Sequence, residues 1–268
     1  MRVNMDRSGQ CILIILDGLG DHPAPGLRGR TPLEAARQVN MKRLKKIGAQ
    51  GLMDPISPGV PPGSDTSHLA ILGYDLEKEY FGRGPIEALG EGVVLGENEI
   101  AFRANLATVK LANNMAMVVD RRAGRISTQE TKNLVDILNE EVPEVDGCSF
   151  RSYGLTEHRM ALTVSGEGLS YEVTDNDPHE EGAPMLECQQ RQEARNADGA
   201  RRLASVMNRW EIEAMRALSK ADLNEQRKHS GRPVANAVLF RGSGVAKKLP
   251  GFHEKFGFHA AAIAGGAL

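Results

Sequence analysis

Residues 11–16, Cys-Ile-Leu-Ile-Ile-Leu, form an unbroken apolar run that stops abruptly at Asp17-Gly18. A strand with one wet face alternates apolar and polar residues; a run without alternation is the pattern of a strand buried on both faces of a parallel sheet. The segments that follow keep that frame. Thr31-Pro32-Leu33-Glu34 is a helix start, with Thr31 as cap, Pro32 in the first helical position and Glu34 closing a capping box. Asn40 is expected to cap a second short helix ending at Gly48, and Pro61-Pro62-Gly63 halts the chain just before Ser64. Strand, helix and loop alternate through the first 75 residues, as in an α/β sheet.

The middle of the chain changes character. Residues 101–119 predict strands around an Asn113-Asn114 turn, and Ser127-Thr-Gln-Glu130 is a second capping box opening a helix with Leu134, Val135, Leu138 and Val142 on one face. His158 to Val164 alternates as a strand, and Ala200, Leu203, Ala204, Met207, Trp210, Met215 and Leu218 have helical spacing. Strands and helices mixed without βαβ regularity predict a separate α+β module over residues 83–232, between the Gly82-Arg83-Gly84-Pro85 and Gly231-Arg232-Pro233 turns. Val234–Phe240 and Ala260–Ala264 are expected to be buried strands returning to the first sheet. The division is therefore 1–82, 83–232 and 233–268.

Composition narrows the classes. With 33 Lys and Arg against 35 Asp and Glu, the charge balance gives no reason to expect nucleic-acid or membrane-surface partners. The 11–16 run is too short for a membrane span or a signal-peptide core. Cys11, Cys148 and Cys188 are far apart with no CxxC pair, which fits a reducing, cytoplasmic setting.

Several residues are candidates for chemistry. Asp17, at the end of the predicted strand, either closes a simple turn or presents a carboxylate to a metal or substrate. Ser64 is either a helix cap or a nucleophile at a helix N-terminus, where free N–H groups and the dipole favour phosphate. Gly-x-Ser-x-Gly is absent and no Ser-His-Asp order is legible, so a metal is the expected activator of such a hydroxyl. A lone histidine is more often structural than a ligand, which tempers His158 and His179. Arg83, Arg103, Arg121, Arg125, Arg159 and Arg241 lie by turns or strand ends, and converging guanidinium groups suit a small phosphorylated acid.

Taken together, Ile15-Leu16-Asp17-Gly18-Leu19-Gly20-Asp21, Thr31-Pro32-Leu33-Glu34-Ala35-Ala36, Pro62-Gly63-Ser64-Asp65, Leu72-Gly73-Tyr74-Asp75 and Tyr80-Phe81-Gly82-Arg83-Gly84-Pro85-Ile86-Glu87-Ala88 resemble the archaeal-type cofactor-independent phosphoglycerate mutases. Ala101-Phe102-Arg103-Ala104-Asn105, Asp177-Pro178-His179 and Asn236-Ala237-Val238-Leu239-Phe240-Arg241-Gly242 extend the resemblance in family order over nearly the whole chain.

The resemblance implies an alkaline-phosphatase-like α/β core, incomplete here, interrupted by an α+β substrate-binding insert. It implies interconversion of 3-phosphoglycerate and 2-phosphoglycerate at two divalent ions (Mn2+, Mg2+ or Zn2+) without 2,3-bisphosphoglycerate. Asp17 would be a metal ligand, Ser64 both metal-bound and the nucleophile, and Arg103, His158, Arg159, His179 and Arg241 would face the substrate. The family completes its metal site with later aspartates and histidines, and the chain stops before any such segment. The 268-residue chain is accordingly expected to be inactive or nearly so. The alternatives are a metal-dependent phosphatase or phosphodiesterase of the same superfamily and a non-catalytic phosphoglycerate-binding module.

Overall fold

The computed structural model describes residues 10–16 and 18–263, in two compact units divided after Ser67. In the first unit, helices α1 (Pro32–Ala35) and α2 (Val39–Ile47) are both short. The predicted capping box is present: Glu34 N–H donates to Thr31 Oγ1 at 3.2 Å, and Thr31 N–H donates to Glu34 Oε2 at 2.8 Å. Helix α2 begins two residues earlier than expected, with Gln38 rather than Asn40 in the cap position, so Asn40 lies inside it, and it ends at Gly48 as predicted.

The 11–16 segment corrects the sequence reading. It has no regular structure, with Ile12 83% and Ile14 74% exposed, and no strand occurs among the described residues of this unit. An apolar run encodes a demand for burial on two faces; the ladder itself needs neighbouring backbones, which the run cannot supply. Helix α3 (Ser64–Ile71) starts at Ser64, and Ser67 N–H donates to the Gly63 carbonyl at 2.9 Å. Gly63 therefore holds the cap position, and Ser64 is the first helical residue.

The second unit continues with α4 (Leu76–Glu79) and α5 (Arg83–Gly90), then a six-stranded sheet of β1 (Ile100–Ala112), β2 (Met115–Asp120), β3 (Glu144–Val145), β4 (Cys148–Gly154), β5 (Arg159–Ser165) and β6 (Ala237–Val245). Helix α6 (Thr128–Glu141) follows β2; α7 (Ala197–Lys220) and α8 (Asp222–His229) precede β6, and α9 (Phe252–Phe256) follows it. The class is mixed α and β, and every strand pair among the described residues is antiparallel. Strand β1 is the hub, pairing with β2, β5 and β6. Asn113 and Asn114, both at positive φ (50° and 63°), make the β1–β2 turn that the sequence predicts.

Alternation along β1 sorts its side chains. Phe102, Ala104 and Leu106 face a core shared with Met160, Leu162, Val238 and Phe240 and covered by α6 and α7. Trp210 of α7 stacks on Phe150 with centroids 5.4 Å apart, and its indole N–H reaches the Val142 carbonyl at 3.3 Å. Residues Arg103 and Asn105 lie on the opposite face.

Two expected return strands differ. Val234–Phe240 does lead into a strand, but β6 pairs antiparallel with β1, Phe240 opposite Ala104. Residues 260–263 are irregular and exposed, and Ala264 lies outside the described residues. Neither segment has a parallel partner among the described residues, and apolar composition alone does not choose between pairing partners.

Helices and loops are fastened to neighbouring segments by asparagine amides that bond backbone N–H and C=O groups together. Asn176 accepts from Phe240 N–H at 2.6 Å and donates to Val238 O at 3.0 Å, and Asn139 does the same for Ser152 at 2.8 and 3.0 Å. The buried Asn224 makes three such bonds, to Ala235 N, Ala235 O and Leu218 O. Asn224→Ala leaves those groups without partners in the interior and should cost roughly 2–4 kcal/mol in chemical denaturation.

Glu211 on α7 is buried; its Oε1 accepts from Val238 N–H at 3.1 Å, while Oε2 is buried without a hydrogen bond among the described residues. Burial pushes its carboxyl well above the usual carboxylate range, only partly offset by that N–H. A raised folded value gives stability that is full below the unfolded value and is lost as pH rises through the folded one. Glu211→Gln, which keeps the acceptor and cannot ionise, should flatten that alkaline loss in denaturation curves measured upward from pH 5.

Candidate functional site: two arginine–carboxylate bridges

The polar face of the sheet is built around β1 and β6. Arg103 and Arg241 are register partners on these strands, so their side chains leave the same face. The register shifts just beyond them, where Gly242 at φ +64° adds a residue to β6. A Cβ on Gly242 would lie 2.9 Å from the Cβ of Arg83, so only glycine lets the start of α5 approach the bulge. At Gly84 a Cβ would lie 2.4 Å from the Ala101 carbonyl oxygen, which seats α5 directly on β1.

This docking delivers Glu87, one helical turn after Arg83. Its Oε1 accepts from Arg83 Nε and from Arg103 Nη1, both at 2.7 Å. Asp177 makes the second bridge from the loop before α7. Its Oδ1 and Oδ2 take Arg121 Nε and Nη2 at 3.0 and 2.6 Å, and Oδ2 also takes Arg241 Nη1 at 2.6 Å. Two carboxylates thus hold four arginines.

The charge crowding marks the pKa values. Burial lowers Arg103 to about 10; Glu87 opposes this, while Arg241, Arg83 and Arg159 add to it. Arg241 is lowered likewise by burial, with Asp177 opposing and Arg121 and Arg83 adding. Burial alone would raise Asp177, but Arg121, the His179 N–H and the Arg241 charge outweigh it and hold the carboxyl below its ordinary value. Arg103 stays protonated at neutral pH, so the face is positive.

Of the residues singled out from sequence, Arg83 and Arg103 enter the first bridge and Arg121 and Arg241 the second. His179 borders the second: its N–H donates to Asp177 Oδ1 at 2.9 Å, and its Nδ1 lies 3.3 Å from Arg121 Nη2. Arg159 opens β5 opposite Asn105 and makes no side-chain hydrogen bond or ion pair among the described residues. His158 is buried beside it; burial first, then Arg159, Arg122 and Arg103, push it down to about 4 despite Glu157, so it is neutral at pH 7. Its Nδ1, Arg103 Nε and Asn105 Oδ1 are buried without hydrogen bonds among the described residues. Ser64 belongs to the other unit, and Asp17 lies outside the described residues.

Glu87 and Asp177 were not singled out from sequence as site residues. The four-residue spacing of Arg83 and Glu87 on a helix was the available signal for the first. For Asp177 the available signal was its place in the Asp177-Pro178-His179 block that carries the resemblance. No group of three His, Cys, Asp or Glu with metal-binding geometry occurs among the described residues. These residues alone do not supply the ligand set for a divalent ion.

The depressed Asp177 carboxyl contributes stability that is present above its unfolded value and is lost as pH falls through the folded one. Asp177→Asn should therefore unfold at lower denaturant at pH 7 and show a smaller further loss below pH 4 than the parent chain, read by tryptophan fluorescence of the buried Trp210.

The sequence model described as 2,3-bisphosphoglycerate-independent phosphoglycerate mutase matches residues 46–224. The enzymes of that name from Ignicoccus hospitalis and Pyrococcus abyssi are each 46% identical, over 96% and 98% of this chain and 61% and 62% of their own lengths. Among solved structures, the cofactor-independent phosphoglycerate mutase from Thermoplasma acidophilum is 42% identical with a TM-score of 0.56, over 90% of this chain and 60% of its own. A Pyrococcus horikoshii protein is 33% identical with a TM-score of 0.62, over 90% of this chain and 53% of its own. This chain spans about three-fifths of the length of the curated relatives it matches. The chain belongs to the 2,3-bisphosphoglycerate-independent phosphoglycerate mutase family.

Proposed function

We propose that this chain carries the substrate-recognition part and the nucleophile of a phosphoglycerate mutase that interconverts 3-phosphoglycerate and 2-phosphoglycerate. The observation that carries the reading is the pair of arginine–carboxylate bridges: four guanidinium groups around two carboxylates, with Arg159 beside them, leave a net positive face. Such a face suits a small acid bearing a phosphate and a carboxylate. Arg103 and Arg241 bind its charged ends, and His179, Arg159 and the neutral His158 line the remainder.

Ser64 is the acceptor of the phosphoryl group. Its oxygen bonds to phosphorus as the bond to the glycerate oxygen breaks, and the hydroxyl proton passes to the departing alkoxide. Glycerate turns, and its other hydroxyl takes the group back, restoring the Ser64 hydroxyl. The N-terminus of α3 favours the dianionic phosphoserine through its N–H groups and dipole. Water must be excluded while glycerate turns, because a hydrolysed phosphoserine makes the protein a phosphatase.

The reading includes the family's two divalent ions, with Asp17 and Ser64 among their ligands, and a cytoplasmic location. Among the described residues no helix is long and apolar enough to cross a membrane. It also keeps residues 83–232 as an insert between core segments 1–82 and 233–268. Strand β6, residues 237–245 of the last segment, pairs antiparallel with β1 of residues 83–232.

The test joins this chain to the part of the Ignicoccus hospitalis enzyme that it does not match. The fusion should convert 3-phosphoglycerate to 2-phosphoglycerate without added 2,3-bisphosphoglycerate. Ser64→Ala should abolish turnover while 3-phosphoglycerate still binds in calorimetry. Release of inorganic phosphate without 2-phosphoglycerate would instead establish the phosphatase reading.

A further inference from the structure

We propose that Glu87 and Asp177 are positioning residues that hold four arginines as two separate anion forks, one for each acidic end of a small ligand. What those two ends are rests on the phosphoglycerate reading; the forks themselves rest on geometry.

Glu130 also takes two arginines, Arg227 and Arg232, so the two-to-one ratio alone does not mark a site; what sets these two bridges apart is that Arg103 and Arg241 lie in register on neighbouring strands. In them each carboxylate takes two guanidinium groups: Arg83 and Arg103 on Glu87, Arg121 and Arg241 on Asp177. Each bridge therefore keeps one positive charge in excess. Asp177 and the side chain of Arg103 are nine-tenths or more buried, so each fork is fixed from within the protein rather than by solvent. An arriving anion on each fork meets that one positive charge.

Donors remain for it. Arg103 gives Glu87 one of its five N–H groups, and its Nε is buried with no hydrogen bond among the described residues. Arg241 gives Asp177 one likewise. The carboxylates fix the planes in which the remaining donors point, which matters because bidentate recognition depends on the plane.

The two forks are also mechanically distinct. Glu87 rides on α5, whereas Asp177 sits in a loop, where the His179 N–H and the two-point grip on Arg121 orient it. They adjoin at the register pair Arg103 and Arg241 and where Gly242 lies against Arg83. Loss of one carboxylate should loosen its own fork and leave the other in place.

Titrations of the full chain at pH 7, followed through the arginine Nε–H resonances, read this directly with inorganic phosphate and glycerate as one-anion probes. Glu87→Gln should weaken one probe about tenfold and leave the other within about twofold, and Asp177→Asn should show the opposite pattern. General structural damage would weaken both probes together in either variant. If an amide variant loses the native near-ultraviolet spectrum, Glu87→Asp and Asp177→Glu, which keep the charge and move it, are read instead for the same split. The proposal is overturned if each variant weakens both probes alike, if neither changes, or if the parent chain binds neither probe. A clean split with 3-phosphoglycerate binding no tighter than inorganic phosphate would uphold the forks and sink the phosphoglycerate reading.

Discussion

The placement of Asp177 between Arg121 and Arg241 is the interaction on which the polar face depends. A carboxylate this buried is tolerated only where cations and N–H groups replace water, and here two guanidinium groups and the His179 N–H do so. In return the carboxylate lets Arg241 lie beside Arg103 in register, where two like charges would otherwise repel. Glu87 does the same from the other side. Each carboxylate offsets, on the arginine it holds, the lowering that neighbouring guanidinium groups impose: Glu87 on Arg103 and Asp177 on Arg241.

Backbone proximity makes the arrangement possible. Helix α5 approaches β1 and β6 where glycines replace side chains, at Gly84 against Ala101 and at Gly242 against Arg83. The same Gly242 bends β6 at its bulge, and its N–H is taken by Asp175 at 3.0 Å. Asp175 and Asp177 flank Asn176, whose amide is bonded to β6 at Val238 and Phe240. One three-residue segment therefore fastens the loop to the sheet through Asn176, secures the bulge through Asp175 and bridges two arginines through Asp177.

What the sequence disclosed follows the range of the interactions. The capping boxes at Thr31 and Ser127, the Asn113-Asn114 turn and the buried stripe of α7 were legible because residues within a few positions determine them. The partner of β6 was not, since an apolar strand specifies a face and not a neighbour. Residues 11–16 show the same limit: the run states what it needs without stating what supplies it. In the site, arginines near strand ends could be named from sequence. The carboxylates that give them direction could not, because Glu87 and Arg103 lie 16 residues apart and Asp177 and Arg241 lie 64 apart.

The face opposite the arginines explains how such crowding is sustained. Phe102, Ala104 and Leu106 alternate with Arg103 and Asn105 along β1, so the strand that carries the buried Arg103 also carries fully buried core side chains. Burial of one large apolar side chain contributes about 1.5–3 kcal/mol, comparable with what one buried polar atom without a hydrogen bond costs. Phe102 and Phe240 meet edge to face with centroids 5.3 Å apart, one residue from Arg103 and Arg241 respectively. The apolar pair on one face holds the two strands in the register that sets the charged pair on the other. Binding geometry and core packing are thus two sides of one strand pairing, and a change in either must be felt in both.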